Sequence, residues 1–339
     1  MALSTHRVEV VPVTLESHPN ADSLSIVHVF DGYTVIVKTD EWKDKTIAAY
    51  IPPDSLVPDT PEYEFLKGKC RIKAKKLRGE WSMGMLVPAP EGSVVGDDVA
   101  EQLGIIHYDP PESTPKFGGQ ACRAPLLPGF GEPINYDVES FRKYGLKVFE
   151  KEELVWVSEK IHGTNARFVY VDDKMWCGSH KLWKRPPEII CEDCYDLENA
   201  DLWWRTLKQY PQLEKYCREN PNTVVYGEIA GVQKEMMYGM TKGQTRLFVF
   251  DIFENGKWVN AQRVETICLK NDIPVVPILG IYEFDFDELL KLAEGSSLVP
   301  GVDHLAEGIV IKPMRERWNA KCGRVNLKIV SCRYLERSK

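Results

Sequence analysis

Five strand-like apolar runs in the C-terminal part of this chain are each broken by charge. Lys160 ends "VWVSEK", Glu228 interrupts "VVYGEIAG", Asp251 interrupts "FVFDIF", Glu307 and Lys312 bracket "EGIVIK", and Lys328 interrupts "VNLKIV". A charge inside a packed strand must be paired, or its burial is costly. Five such strands in one region imply that their charges meet in a shared cleft. Lysines and carboxylates together suit one ligand class: the lysines face phosphate oxygens, and the carboxylates hold a divalent metal that bridges the same phosphates.

Around those runs the pattern is α+β. "ARFVYVD" and "KMWCGSH" add strand-like segments, and helical periodicity appears in "ENADLWWRTLKQY", "PQLEKYCREN", "AQRVETICLKN" and "DFDELLKLAEG". Pro211 is placed to open the second of these helices, a position proline tolerates. Trp203, Trp204 and Leu207 form an apolar stripe that reads as core. Upstream, residues 6–104 are short β runs, and "FDGY" signals a hairpin between two alternating stretches. Many short strands with Pro, Gly and Asp turns predict a small barrel. Residues 106–136 hold six prolines and four glycines, the composition of a linker or surface loop. The expected division is 1–105, 106–136 and 137–339.

A net charge of −7 argues against a surface coated for nonspecific nucleic-acid binding, but the positive charge is concentrated. "LKGKCRIKAKKLRG" (66–79) carries seven basic residues and no acid, and residues 315–339 carry eight against two Glu. In the first stretch Lys69, Arg71, Lys73 and Lys75 alternate, so a strand would present all four on one face, a track for a polyanion.

The charged strands resemble, in order, the motifs of the covalent nucleotidyltransferases, and among them the ATP-dependent RNA ligases. Motif I is Lys160-Ile-His-Gly-Thr-Asn165, the Ia region is "GSHK" (178–181), and motif III is "YGE" (226–228). Motif IIIa is "FVFD" (248–251), IV is "EGIVIKP" (307–313), and V is "LKIVS" (327–331). "SHPNADSLSIVHV" and "AAYIPPDSLVP" resemble the OB-type modules of tRNA-binding domains. An OB-like barrel before the catalytic domain, with eight residues after Ser331, resembles the Deinococcus/Naegleria-type RNA ligases. The fold this implies is an OB-like β-barrel followed by an ATP-grasp-like nucleotidyltransferase domain of antiparallel sheets with flanking helices.

The resemblance also implies roles. Lys160 is the expected nucleophile that takes AMP from ATP, with Lys312 and Lys328 as cations that lower its pKa and bind the α-phosphate. Glu159 is expected to read the adenine edge and Phe250 to stack on the ring. Lys181 is the expected Ia residue. Glu228 and Glu307 are the expected ligands of Mg²⁺ or Mn²⁺, with Asp251 a further candidate; Glu228 is also expected near the ribose. His162, Asn165 and Arg333 are expected at the RNA end, and Asn165 and Lys181 are also expected among the ATP-binding residues. His162 stands where DNA ligases and capping enzymes usually hold aspartate, and Val330 stands where many relatives hold a second motif V lysine. The implied reaction joins 3′-OH and 5′-phosphate RNA ends through lysyl-AMP and RNA-adenylate, as in nick sealing and RNA repair.

Two alternatives stay open: a nucleic-acid-binding, tRNA-like protein with an inactive transferase domain, and a DNA-joining or capping-type enzyme. Cys177, His180, Cys191 and Cys194 have spacings that could hold zinc. No run reaches the roughly 18 apolar residues of a membrane helix, and the N-terminus lacks a signal core. The chain is therefore expected to be an intracellular monomer, cytoplasmic by default, with organelle and nucleus left open.

Overall fold

The structure is a computed structural model. It describes residues 6–108, 136, 138–180, 183–184, 189–191, 194–195, 200–233 and 236–337. Most of the expected linker, and Lys181, lie outside the described residues, as do the side chains of Cys191 and Cys194. The chain divides into two compact units. One comprises Met1–Pro110 with Glu139–Val148 and Ile329–Lys339; the other comprises Pro111–Val138 with Phe149–Lys328. Residues 139–148 and 329–339 thus group with the N-terminal unit.

Short antiparallel strands build the N-terminal unit. Glu9–Pro12, Ile47–Ile51 and Met85–Pro88 form one sheet. Leu24–Val29 and Tyr33–Lys38 form a hairpin with Val29 opposite Tyr33, as "FDGY" predicts. The Ile47–Ile51 strand is buried on both faces. Ala48 and Tyr50 pack with Val27 and Val35, whereas Ala49 and Ile51 pack with Val8 and Val10. A second hairpin, Ala74–Leu77 with Glu80–Met83, joins the first: Thr34 Oγ1 donates to Trp81 O at 2.7 Å and Ile36 N to Ser82 Oγ at 3.0 Å. Curling strands onto one another in this way removes exposed edges.

The basic stretch lies on this unit. Residues 70–72 pair with 55–57, Val57 N donating to Cys70 O and Ile72 N to Ser55 O. Burial lowers the pKa of Lys73, and Arg71 and Lys69 add to the shift while Asp54 opposes it, so these cations lie near one another. Arg71 is tied down, bonded to Asp54 at 2.7 Å and stacked 3.9 Å over Tyr108. Lys69 and Lys75 are exposed. The helix Cys332–Arg337 packs Cys332 and Leu335 against Ala74 and Met83, and Val330 joins that cluster.

Two antiparallel sheets form the second unit. One runs Trp183–Lys184, Lys174–Gly178, Thr164–Val171, Val224–Ala230, Arg246–Glu254, Lys257–Trp258. Because directly paired residues share a face, its registers sort the side chains. Ala166, Phe168, Val225, Ile229, Leu247 and Val249 face the helices Leu202–Gln209, Pro211–Glu219 and Ala261–Lys270. There Trp203, Trp204 and Leu207 complete the main core, as their stripe predicts. Pro211 opens its helix as expected. The opposite face carries the polar rows Asn165–Glu228–Phe248 and Arg167–Tyr226–Asp251. The second sheet contains Leu327–Val330, Gly308–Pro313, Leu154–Lys160 and Ile278–Glu283 in that order. Residues 274–277 tie the two sheets together: Val276 N donates to Val249 O, and Glu159 N donates to Pro277 O, at 2.9 and 2.8 Å. Among the described residues, no helix is long and apolar enough to cross a membrane.

Candidate active site

Lys160 is the last residue of its strand, and the chain then crosses from one sheet to the other through Ile161-His162-Gly163. The crossing places Lys160, at the end of an inner strand of one sheet, near Glu228 on the polar face of the other. Lys160 Nζ donates to Glu307 Oε1 at 2.7 Å. His162 Nδ1 lies 3.8 Å from Glu307 Oε2. Asn165 pairs directly with Glu228 across the strands. Its backbone oxygen accepts from Trp203 Nε1 at 2.9 Å, so the core helix also fixes the end of the crossing. Burial pushes the Glu228 carboxyl up to about 8, with Lys160 pulling it down and Glu307 pushing it up. The three charged groups therefore act on one another.

Gly163 has to be glycine. A Cβ there would collide with the Ile229 carbonyl oxygen and press on Glu228 Cγ at 3.1 Å. Two side chains hold the same turn from outside: Tyr238 Oη accepts from His162 N, and Gln233 Nε2 donates to Gly163 O, both at 2.8 Å.

A second charge cluster forms where the sheets meet further along. Asp251 is fully buried, and its Oδ2 accepts from Lys312 Nζ at 2.9 Å, Arg324 at 2.7 Å and Tyr136 Oη at 2.6 Å. Burial alone would raise its pKa, but Lys312 and Arg324 outweigh that and hold it low. Arg324 also forks onto Glu316 at 2.6 and 2.8 Å. A bulge makes room for this arrangement. Tyr226 pairs with Asp251 and Gly227 with Val249, leaving Phe250 as an extra residue. Its carbonyl accepts from Lys312 at 3.0 Å, and its ring lies 4.9 Å from Tyr136.

The expected site residues thus separate. Lys160, His162, Asn165, Glu228 and Glu307 come together. Lys312 does not stand beside Lys160: Gly308 is the cross-strand partner of Lys160, and Lys312 lies four residues on, about 13 Å along the strand. Lys312 is 3% exposed, and its ammonium is committed to Asp251. Asp251 in turn is saturated by cations and a hydroxyl rather than turned toward a metal. Glu159 points to the sheet face opposite Lys160. Its carboxylate accepts from Ser297 Oγ at 2.6 Å and Leu298 N at 2.7 Å, so it clasps a loop instead of presenting an open edge. Lys328 is half-buried on the strand next to Gly308–Pro313, and Arg333 is exposed on the last helix. Val330 is apolar because it packs on Ala74, Met83, Cys332 and Leu335.

Sequence reasoning missed Arg324, Glu316, Tyr136, Tyr238, Gln233 and Ser297. It also missed Arg167, which is 1% exposed and stacks 4.4 Å over Trp183. Among the described residues its three guanidinium nitrogens have no hydrogen-bond partner, and burial brings its pKa down to about 10. The basic stretch 315–339 is partly internal: Arg317 pairs with Glu153, and Arg324 with Asp251 and Glu316.

Among the described residues, no group of three or more His, Cys, Asp or Glu side chains converges as a metal site. Cys177 is a fully buried thiol whose pKa burial drives far up. The pair Glu228 and Glu307 still suits a hard cation. Glu307 Oε2 and Asn165 Oδ1 are buried with no hydrogen-bond partner among the described residues, and all these candidate ligand atoms are oxygens. A cation there would complete its shell from phosphate and water.

The RNA ligase family profile matches residues 153–330, more than half of the chain and all of the strands given above for the second unit. This chain belongs to the RNA ligase family. An OB-fold profile matches residues 6–89 of the ligase, so its N-terminal unit is an OB-fold domain. Solved structures of Naegleria gruberi RNA ligase share its fold over nearly the whole chain. A variant with ATP and Mn is 23% identical, covering 97% of this chain and 98% of that one, with a TM-score of 0.78. A complex with pyrophosphate is 23% identical, covering 98% of both chains, with the same TM-score. A further variant with ATP and Mn is 22% identical with a TM-score of 0.79. The fold of the ligase is therefore an OB-fold domain followed by a nucleotidyltransferase-like domain of antiparallel sheets.

Proposed function

We propose that this ligase joins RNA 3′-OH and 5′-phosphate ends with ATP as the energy source, through lysyl-AMP on Lys160 and an RNA-adenylate. The observation that carries this reading is the Lys160–Glu307 pair beside Glu228 and Asn165, at the crossing between the two sheets. Lys160 Nζ attacks the α-phosphorus of ATP; an N–P bond forms and the P–O bond to pyrophosphate breaks. Glu307, already holding the ammonium, is placed to take its proton. Lys328 supplies positive charge as pyrophosphate leaves. AMP then passes to an RNA 5′-phosphate, and the 3′-hydroxyl of a second end displaces it. His162 and Asn165 attend these later steps, and Phe250 offers a face for the adenine ring.

Glu228 and Glu307 would hold the Mg²⁺ or Mn²⁺, which supplies neutralisation of phosphate charge when bound. Naegleria gruberi RNA ligase solved with ATP and Mn, and with AMP and Mn, supports ATP and a divalent metal as the cofactors. In the same reading, residues 1–105 grip nucleic acid, 106–136 link, and 137–339 perform transfer. Lys312 acts by fixing Asp251 and the Phe250 bulge rather than by touching Lys160.

The test is a panel of nicked duplexes, RNA or DNA on each side, with ATP and each metal in turn. The expected result is sealing when RNA supplies the 3′-OH, with 5′-adenylated RNA accumulating in an Asn165→Ala variant. Covalent labelling by GTP but not ATP would point to a capping-type enzyme. Sealing indifferent to RNA on the 3′-OH side would point to DNA joining.

A further inference from the structure

The crossing Ile161-His162-Gly163 belongs to neither sheet ladder, so its backbone groups need partners from elsewhere. Glu228 on the neighbouring strand bonds the Gly163 backbone, and two further partners come from the segment that follows that strand. Gln233 takes the Gly163 carbonyl and Tyr238 takes the His162 amide. That segment is built with strain. Tyr238 sits at φ +47, a left-handed conformation that costs a bulky residue, between Gly231 at +86 and Gly239 at +77. The twist drives the tyrosine inward, where it is 3% exposed and its ring meets His304 edge-on at 4.8 Å. Burial drives its pKa far up, and Glu307, Glu159 and Glu228 push the same way, so its oxygen stays a neutral phenol among three carboxylates.

We propose that Tyr238 is a positioning residue for Lys160. By accepting from the His162 amide, its hydroxyl fixes the angle at which the chain leaves Lys160, and so fixes the lysine against Glu307. Gln233 holds the far side of the same turn. Backbone strain persisting at a buried tyrosine is what a positioning role requires: the surroundings over-determine the geometry because the reaction needs it. The inference rests on the reading of Lys160 as the group that takes AMP.

The experiment follows lysyl-AMP formation by full-length wild type, Tyr238→Phe and Gln233→Met, with ATP concentration varied. Tyr238→Phe keeps the ring and its packing but removes the acceptor. Expected is a fall in the maximal adenylation rate on the order of 10- to 100-fold, with the KM for ATP shifted less than about threefold. The melting temperature should stay close to wild type, and Gln233→Met should show the same split. Wild-type adenylation by both variants overturns the positioning role. A rise in KM with a parallel loss of melting temperature makes Tyr238 merely structural, and also overturns it. Absence of any adduct on wild type instead overturns the reading of Lys160, and this proposal with it.

Discussion

Two acidic residues of this ligase are displaced from their ordinary behaviour in opposite directions, and each displacement is measurable. Glu228 titrates at about 8, pushed up first by burial. An unfolded glutamate titrates near 4.3, so between about 4.3 and 8 the folded protein keeps a proton that the unfolded chain has released. Stability should therefore fall as pH rises through that window. Urea unfolding in chelator at pH 6 and pH 8 should show the decline in wild type and a flatter response in Glu228→Gln; equal slopes would contradict the assignment. Asp251 is the reverse case, its pKa held low by Lys312 and Arg324 against burial. Its contribution is present above the unfolded value and lost as pH falls through the depressed folded one. Asp251→Asn takes from Lys312 its carboxylate partner and leaves Arg324 with Glu316 alone, and should cost about 3–5 kcal/mol in urea unfolding.

The sheets made much of the site legible before any coordinates, because a charge in an apolar strand is a conspicuous signal. Period-2 alternation also held information that the motif resemblance overrode. Glu159 and Lys160 are neighbours in one strand, so their side chains leave it on opposite faces, and Glu159 is taken up by Ser297 and Leu298. Lys312 lies five residues beyond Glu307, too far along a strand to stand beside the same partner. The partners that turns and loops supply were illegible. Nothing periodic connects Tyr238 to His162, Ser297 to Glu159, or Tyr136 to Asp251, since those contacts depend on where irregular backbone goes. The bulge at Phe250 was hidden for a similar reason, an extra residue being visible only against its partner strand. Arg167 shows a cost that alternation predicts but composition conceals: it lies on the polar face, yet it is sealed among Trp183 and Tyr226. Removing an unpartnered buried guanidinium should not harm the fold. Arg167→Met is expected to unfold at equal or higher urea concentration, gaining about 1–3 kcal/mol; a loss of that size would mean that the guanidinium has a partner in solution.

On the proposed function the two units divide the work, and each can be tested by the step it would govern. Nucleotide transfer to Lys160 should need only residues of the second unit, whereas RNA affinity should depend on the cations of residues 69–75 in the OB-fold domain. Replacing Lys69, Lys73 and Lys75 with glutamate should weaken RNA binding and make its salt dependence shallower by about 2–3 in logarithmic slope. Lysyl-AMP formation should be unchanged in that variant; equal loss of both would mean that the substitutions unfold the protein. The claim on which all of this depends is that Lys160 becomes covalently adenylated. Intact-protein mass spectrometry after incubation with ATP and Mg²⁺ should show wild type gaining the mass of one AMP, with Lys160→Ala gaining nothing. A wild-type chain that stays unmodified, or an alanine variant that gains the same mass, would contradict the account.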